Sequence, residues 1–136
     1  MSRTLVIVKP DGVERGLVGT ILARLEVRGL TLAAAELRTI DAATAEAHYA
    51  EHRGKPFYER LVGFITRGPS MVCVVEGPAE TWRLVRAMMG ATNPADALPG
   101  TVRGDLATDT GENLIHGSDS EESARREVAL FFPHLA

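Results

Sequence analysis

Asn113-Leu114-Ile115-His116-Gly117-Ser118-Asp119-Ser120 packs a strand, a sharp turn and a helix start into one short run. The apolar pair Leu114-Ile115 reads as the end of a strand, with His116 at its tip. Gly117 lets the backbone turn sharply after it. Ser118, Asp119 and Ser120 are N-cap residues, and Ser118-x-x-Glu121 and Asp119-x-x-Glu122 both fit a capping box. The helix they open carries Ala124, Glu127, Val128 and Phe131 at i, i+3, i+4 and i+7, one face of a turn of 3.6 residues. This last strand–helix pair closes an alternating series that begins near the N-terminus, and so decides the topology.

Thr4 to Val8 is an apolar strand ending in the turn signal Lys9-Pro10-Asp11-Gly12. Val18, Ile21, Leu22 and Leu25 keep helical spacing, and Gly29 suits a C-cap. Leu30 to Ile40 reads as a second strand, with Ala33, Ala35 and Leu37 alternating against Ala34 and Glu36. Ala42 to His52 is a short helix entered from Asp41 or Thr44. Lys55-Pro56 opens another, with proline first and Phe57, Leu61 and Ile65 inward. Ser70 to Glu76 is a third strand, and Pro78 to Met89 a helix ended by Gly90. Thr92 to Glu112 has no sustained period; it holds Arg103-Gly104-Asp105 and reads as a structured binding loop. The order β-α-β-(αα)-β-α-loop-β-α contains a βαββαβ core. The predicted class is therefore α+β: a ferredoxin-like sandwich with a four-stranded antiparallel sheet covered by helices and one sheet end open for a site.

The chain has 136 residues, expected to form one domain over 1–136, and its 45% apolar content suffices for a core. A net charge of -3 and a pI near 5.8 argue against a nucleic-acid footprint. The single Cys73 lies in an apolar run and reads as a core thiol, so no disulfide framework exists and a reducing, cytoplasmic setting is expected. The apolar run Leu5 to Val8 is too short to span a membrane, and no membrane partner is expected. Neither G-x-x-x-x-G-K-[ST] nor G-x-G-x-x-G occurs, so a bound polyphosphate must be held by side chains.

Those side chains can be named. The helix start after His116 favours an anion, and a neutral imidazole beside an anion is a candidate nucleophile toward phosphate. Glu127 sits beside an apolar stripe, where an unpaired charge is costly. An imidazole N–H is a suitable partner; it would fix the tautomer and leave the other ring nitrogen as the attacking lone pair. Lys9, Arg86 and Arg103 are the candidate phosphate cations, with Thr92 and Asn113 nearby at element ends. Phe57, at a helix start, could stack on a base. The sharpest rival is His48-Tyr49-Ala50-Glu51-His52, which fits the inverted zinc-protease pattern. That pattern lacks a third ligand, and two polar histidines on a solvent-facing helix are the preferred reading. A Ser-His-Asp line from His116, Ser118 and Asp119 is rejected, because residues so close in sequence cannot line up and no G-x-S-x-G elbow exists.

Thr4–Asp11, His48–His52 with Lys55-Pro56-Phe57, Asn93–Asp96 with Pro99-Gly100-Thr101, Arg103-Gly104-Asp105 and Asn113–Ser120 together closely resemble nucleoside diphosphate kinases. The resemblance runs from Thr4 to Phe132. It implies a ping-pong phosphotransferase in which His116 attacks the γ-phosphate of a nucleoside triphosphate, chiefly ATP, through Nδ1. A nucleoside diphosphate of broad base and sugar type then takes the phosphoryl group from the phosphohistidine. The resemblance further implies that Lys9 and Asn113 reach the sugar, and that Arg86, Thr92 and Arg103 hold the phosphates. Tyr49 would bond near the reacting group, Phe57 with Leu61 would line the base site, and Glu127 with Ser118 would orient His116. Mg²⁺ would arrive on the nucleotide, with no protein metal site. A homohexamer is implied, or a homotetramer, since the chain stops at Pro133-His134-Leu135-Ala136. Ala91 replaces an acid common in relatives. A non-catalytic ligand-binding domain on the same scaffold is the competing reading.

Overall fold

Leu5 and Ile7 point to one side of the first strand, β1 (Ser2–Val8), and Val6 and Val8 to the other; all four are fully buried. A strand buried on both faces needs cover on both. The computed structural model describes residues 1–136 and shows that cover. β1 pairs antiparallel with β3 (Ser70–Gly77), placing Val6 opposite Cys73, and with β4 (Ile115–Gly117), placing Ile7 opposite His116. β2 (Thr31–Arg38) pairs antiparallel with β3, giving the order β2-β3-β1-β4. That is the predicted four-stranded antiparallel sheet.

Alternation along the strands feeds two cores. Val6, Val8, Cys73 and Val75 pack with Ile21 and Leu25 of α2 (Val18–Val27) and with Val85 and Met89 of α5 (Thr81–Met89). On the opposite face, Leu5, Ile7, Val72 and Val74 pack with Ala45 of α3 (Ala42–His48) and Ile65 of α4 (Tyr58–Thr66). Val128 and Phe131 of α7 (Glu121–Phe131) complete that layer. Full burial of each large aliphatic contributes roughly 1.5–3 kcal/mol. β2 is the exception. It is an open edge, and Leu37 is 56% exposed. No helix is long and apolar enough to cross a membrane.

The differences from expectation are local. Lys9-Pro10-Asp11-Gly12 is not a bare turn; Pro10 opens the short helix α1 (Pro10–Glu14), where its missing N–H costs nothing. The Ala42–His52 helix breaks after His48 and continues as a 3₁₀ turn over Ala50–His52. α4 starts at Tyr58, two residues later than expected, so Phe57 caps it and stays 37% exposed instead of pointing inward. The stretch 92–112 is ordered by its own caps. Asn93 accepts from Ala95 N–H to open a 3₁₀ turn, and Thr101 accepts from Gly104 N–H to open α6 (Val102–Leu106). Arg15 and Arg24 pin this stretch to the body through Leu106 C=O and the Asp105 carboxylate.

Two corrections concern the opening motif. α7 is capped by Ser120, whose Oγ accepts from Ser123 N–H at 3.0 Å, so neither predicted capping box forms: the cap lies C-terminal to both Ser118 and Asp119, and Ser118 is engaged with Glu127. Gly117 is required for space rather than for its torsions: a Cβ there would lie 2.6 Å from Met89 Sδ.

Candidate active site

β4 is pinned to β1 by the strand ladder, and this presents His116 at the rim of a cleft of about 700 Å³. Lys9, Tyr49, Phe57, Leu61, Arg86, Thr92, Arg103, Asn113 and His116 all line it. Nine of the eleven residues singled out in the sequence therefore meet in one concavity. The other two, Ser118 and Glu127, stand behind the histidine.

His116 Nε2 lies 2.8 Å from Glu127 Oε1. The same oxygen accepts from Ser118 Oγ at 2.8 Å, and Ser118 Oγ in turn accepts from Leu5 N–H in β1. Burial pushes the Glu127 carboxyl up, but its surroundings, the His116 hydrogen bond first and the Ser118 hydroxyl with it, hold the group below its ordinary value. An ionised carboxylate only accepts, so Nε2 of a neutral His116 must be the donor. Nδ1 then carries the lone pair.

His48 is where the sequence reading fails most clearly. It is not solvent-facing but 4% exposed, edge-on to His116 with ring centroids 4.7 Å apart and edge-on to Phe131 at 5.4 Å. Burial above all, then the charge of His116, pushes its imidazole down to about 3, so it is neutral at any physiological pH. It forms an uncharged wall against the His116 ring. His48 and His52 do not share a helical face, because the helix ends between them. The zinc pattern therefore has no structural basis. His48, His116 and Glu127 do place donor atoms within 4.8 Å of one another. However, His116 and Glu127 already bond each other, and Arg126 lies 3.6 Å from Glu127 Oε2. Such surroundings suit an anion better than a metal ion.

The cations are built into the backbone. Arg103 is buried, and its guanidinium donates to the carbonyls of Asn113 (3.2 Å), Gly90 (3.1 Å) and Ile115 (2.6 Å). Burial, then the Arg86 charge, lowers it to about 10. Arg86 donates to Gly117 C=O at 3.0 Å. Lys9 Nζ donates to Asn113 Oδ1 at 2.7 Å, and Asn113 Nδ2 donates to Thr92 C=O at 2.9 Å. Burial lowers the Lys9 ammonium to about 8, with Arg103 adding to the shift and Asp11 opposing it. Tyr49 is pushed up to about 12 by burial and by the Glu127 charge, so its phenol keeps its proton. Elsewhere on the cleft lining, Phe57 stands edge-on to His52 at 5.3 Å, and the residue stays 37% exposed. The cleft is thus cationic at the histidine and aromatic elsewhere, as suits a nucleotide.

The family model described as nucleoside diphosphate kinase matches residues 2–136. The chain belongs to the nucleoside diphosphate kinase family. The Thermus thermophilus nucleoside diphosphate kinase is 60% identical over 132 residues, covering 97% of this chain and 96% of its own. That of Frankia casuarinae is 56% identical over 136 residues, 100% of this chain and 98% of its own. Among solved structures, a halophilic nucleoside diphosphate kinase from Halobacterium salinarum, in complex with CDP, superposes with a TM-score of 0.93 at 54% identity. It covers 96% of this chain and 87% of its own. A nucleoside diphosphate kinase family protein from Babesia bovis gives 0.95 at 44% identity, covering 98% and 90%. Membership makes this chain a nucleotide-binding phosphotransferase, and is consistent with a divalent-metal requirement.

Asp11 escaped the sequence reading as well. It was visible only as part of a turn signal, yet it is buried and bonded to the backbone of Leu114.

Proposed function

We propose that the chain transfers the γ-phosphoryl group of ATP to nucleoside diphosphates by a ping-pong route through phospho-His116. The observation that carries this is the His116–Glu127 contact of 2.8 Å at the cationic end of the cleft. Nδ1 forms the N–P bond as the bond from γ-phosphorus to the β–γ bridging oxygen breaks, and the nucleoside diphosphate leaves. Glu127 and Ser118 hold the ring and balance the positive charge it gains. Arg86, Arg103 and Thr92 hold the phosphates, Lys9 and Asn113 reach the sugar and phosphate, and Tyr49 bonds near the reacting group. Phe57 and Leu61 line the base site. Stacking tolerates any base, which supports broad specificity. Cationic residues around His116 fit an anion, so Mg²⁺ enters on the nucleotide as part of the substrate. Bound with the nucleotide, it would supply neutralisation of phosphate charge, beside the charges of Arg86, Arg103 and Lys9.

Incubation with γ-labelled ATP should trap an acid-labile, alkali-stable label on the protein; a binding domain would take up none. Glu127→Ala should slow label transfer by roughly 100-fold, the scale of a misaligned reacting group, while nucleotide affinity changes little. Unchanged turnover at saturating substrate would remove Glu127 from the mechanism.

A pH profile tests Lys9. Its protonated form binds the polyphosphate, and its pKa in the free protein is about 8. Thus kcat/KM should fall with rising pH above about 8. The limb in kcat should sit higher, because a bound phosphate favours the ammonium. Lys9→Met should abolish that limb. Folding runs the opposite way. A lysine lowered on folding destabilises the protein below pH 8, and this cost is relieved as pH rises from about 8 toward 10.5.

Residues 1–136 act as one cytoplasmic domain, in a homohexamer or, alternatively, a homotetramer. The open β2 edge and the exposed Leu37 (56%) and Leu98 (73%) support self-association. Sedimentation velocity distinguishes the two assemblies.

A further inference from the structure

Two non-glycine residues have positive φ, Glu80 at 61° and Leu114 at 74°. Glu80 is exposed at a helix start. Leu114 is fully buried, two residues before His116. Ile115 N–H bonds Asn113 C=O at 2.9 Å, closing a three-residue γ-turn around Leu114. A side-chain-bearing residue pays for this backbone conformation and keeps it only where its surroundings over-determine it. Here they do. Leu114 N–H donates to Asp11 Oδ2 at 3.0 Å, and Leu114 C=O accepts from Lys9 N–H at 2.9 Å. Arg103 grips the carbonyls on either side.

We infer that Asp11 is a positioning residue for phosphoryl transfer, its carboxylate locking the Leu114 γ-turn so that β4 presents His116 to the cleft. The inference rests on the proposed role of His116 as nucleophile. Lys9 and Arg103 have a second task at the cleft, but Asp11 does not line it. Asp11 is 3% exposed, and its other oxygen, Oδ1, has no hydrogen-bond partner. Burial raises its carboxyl, against the Leu114 N–H and the Lys9 charge, which lower it. The fold thus keeps a costly buried acid whose side-chain hydrogen bond goes to the strained peptide. The reason is register. If Leu114 relaxed to an extended φ, the path from Asn113 to Ile115 would lengthen and β4 would slide along β1. A slip of one residue exchanges the faces of Ile115 and His116. A far smaller shift moves Nδ1 off line.

Charge and acceptor geometry separate on substitution. Asp11→Asn removes the charge but keeps an oxygen that can accept from Leu114 N–H; Asp11→Ala removes both. Single-turnover labelling of His116 from ATP should be about 3- to 10-fold slower in Asp11→Asn and at least about 30-fold slower in Asp11→Ala. ADP affinity should stay within about 3-fold in both. If Asp11 acted only through its charge on Lys9, the two variants would be alike and ADP affinity would change. That result, or an Asp11→Asn rate equal to the native one, overturns the inference. Should Asp11→Ala fail to fold, Asp11→Asn decides alone by its rate at unchanged affinity. Native protein that takes no label at His116 would overturn the nucleophile reading instead, which keeps the two failures distinct.

Discussion

His116→Ala takes up no phosphate from γ-labelled ATP, and its turnover falls by at least about 10⁴-fold. The size of the effect follows from the site. Glu127, Ser118 and His48 are all arranged around this one ring, and none can replace it. Glu127 is a possible substitute acceptor of phosphate, but it lies behind the ring, 5% exposed and away from the main cleft. The variant should fold normally, since His116 is only partly buried and its removal leaves the Ser118–Glu127 bond intact. Intact-mass analysis after mixing with Mg-ATP reads the outcome. A phosphorylated species persisting in the variant would move the nucleophile elsewhere.

Arg103→Leu should cost about 3 kcal/mol of stability as well as most of the activity. The substitution removes the guanidinium from the carbonyls of Gly90 and Ile115 and leaves Asn113 C=O with the Ile115 N–H alone; a buried acceptor that loses its donor costs about 1–3 kcal/mol. Relief from burying a charge offsets part of this, as the lowered guanidinium indicates. Thermal unfolding should drop by about 10 °C. Arg103→Lys should recover little of either property, because one ammonium cannot span three carbonyls set in different directions. A variant with native melting temperature and weak nucleotide binding would show that Arg103 serves the ligand alone.

The α+β core was readable because its strands are apolar and bounded by strong punctuation, as in Leu5–Val8 and Met71–Val75. The His116–Glu127 pair was readable because a carboxylate on an apolar helical stripe demands a partner. What escaped shares a different property. α6 spans five residues and has no period to detect. His48 looks polar in sequence, and only the packing of α3 against α7 makes it a buried wall. Asp11 reads as a turn former, while its partner lies 103 residues away. Ser118 reads as a cap from its local sequence, and only the family resemblance links it to Glu127, as the structure has it; its bond to Leu5 is settled by tertiary contact. Local chemistry was legible and long-range pairing was not.

The Arg103 fork binds main chain at Gly90, Asn113 and Ile115, so one side chain both lines the cleft and braces the backbone around it. In most enzymes, robustness and catalytic power pull a sequence in opposing directions. Along Gly90–Ile115 they would pull together, and random mutagenesis should find few variants there that are sturdy yet inert.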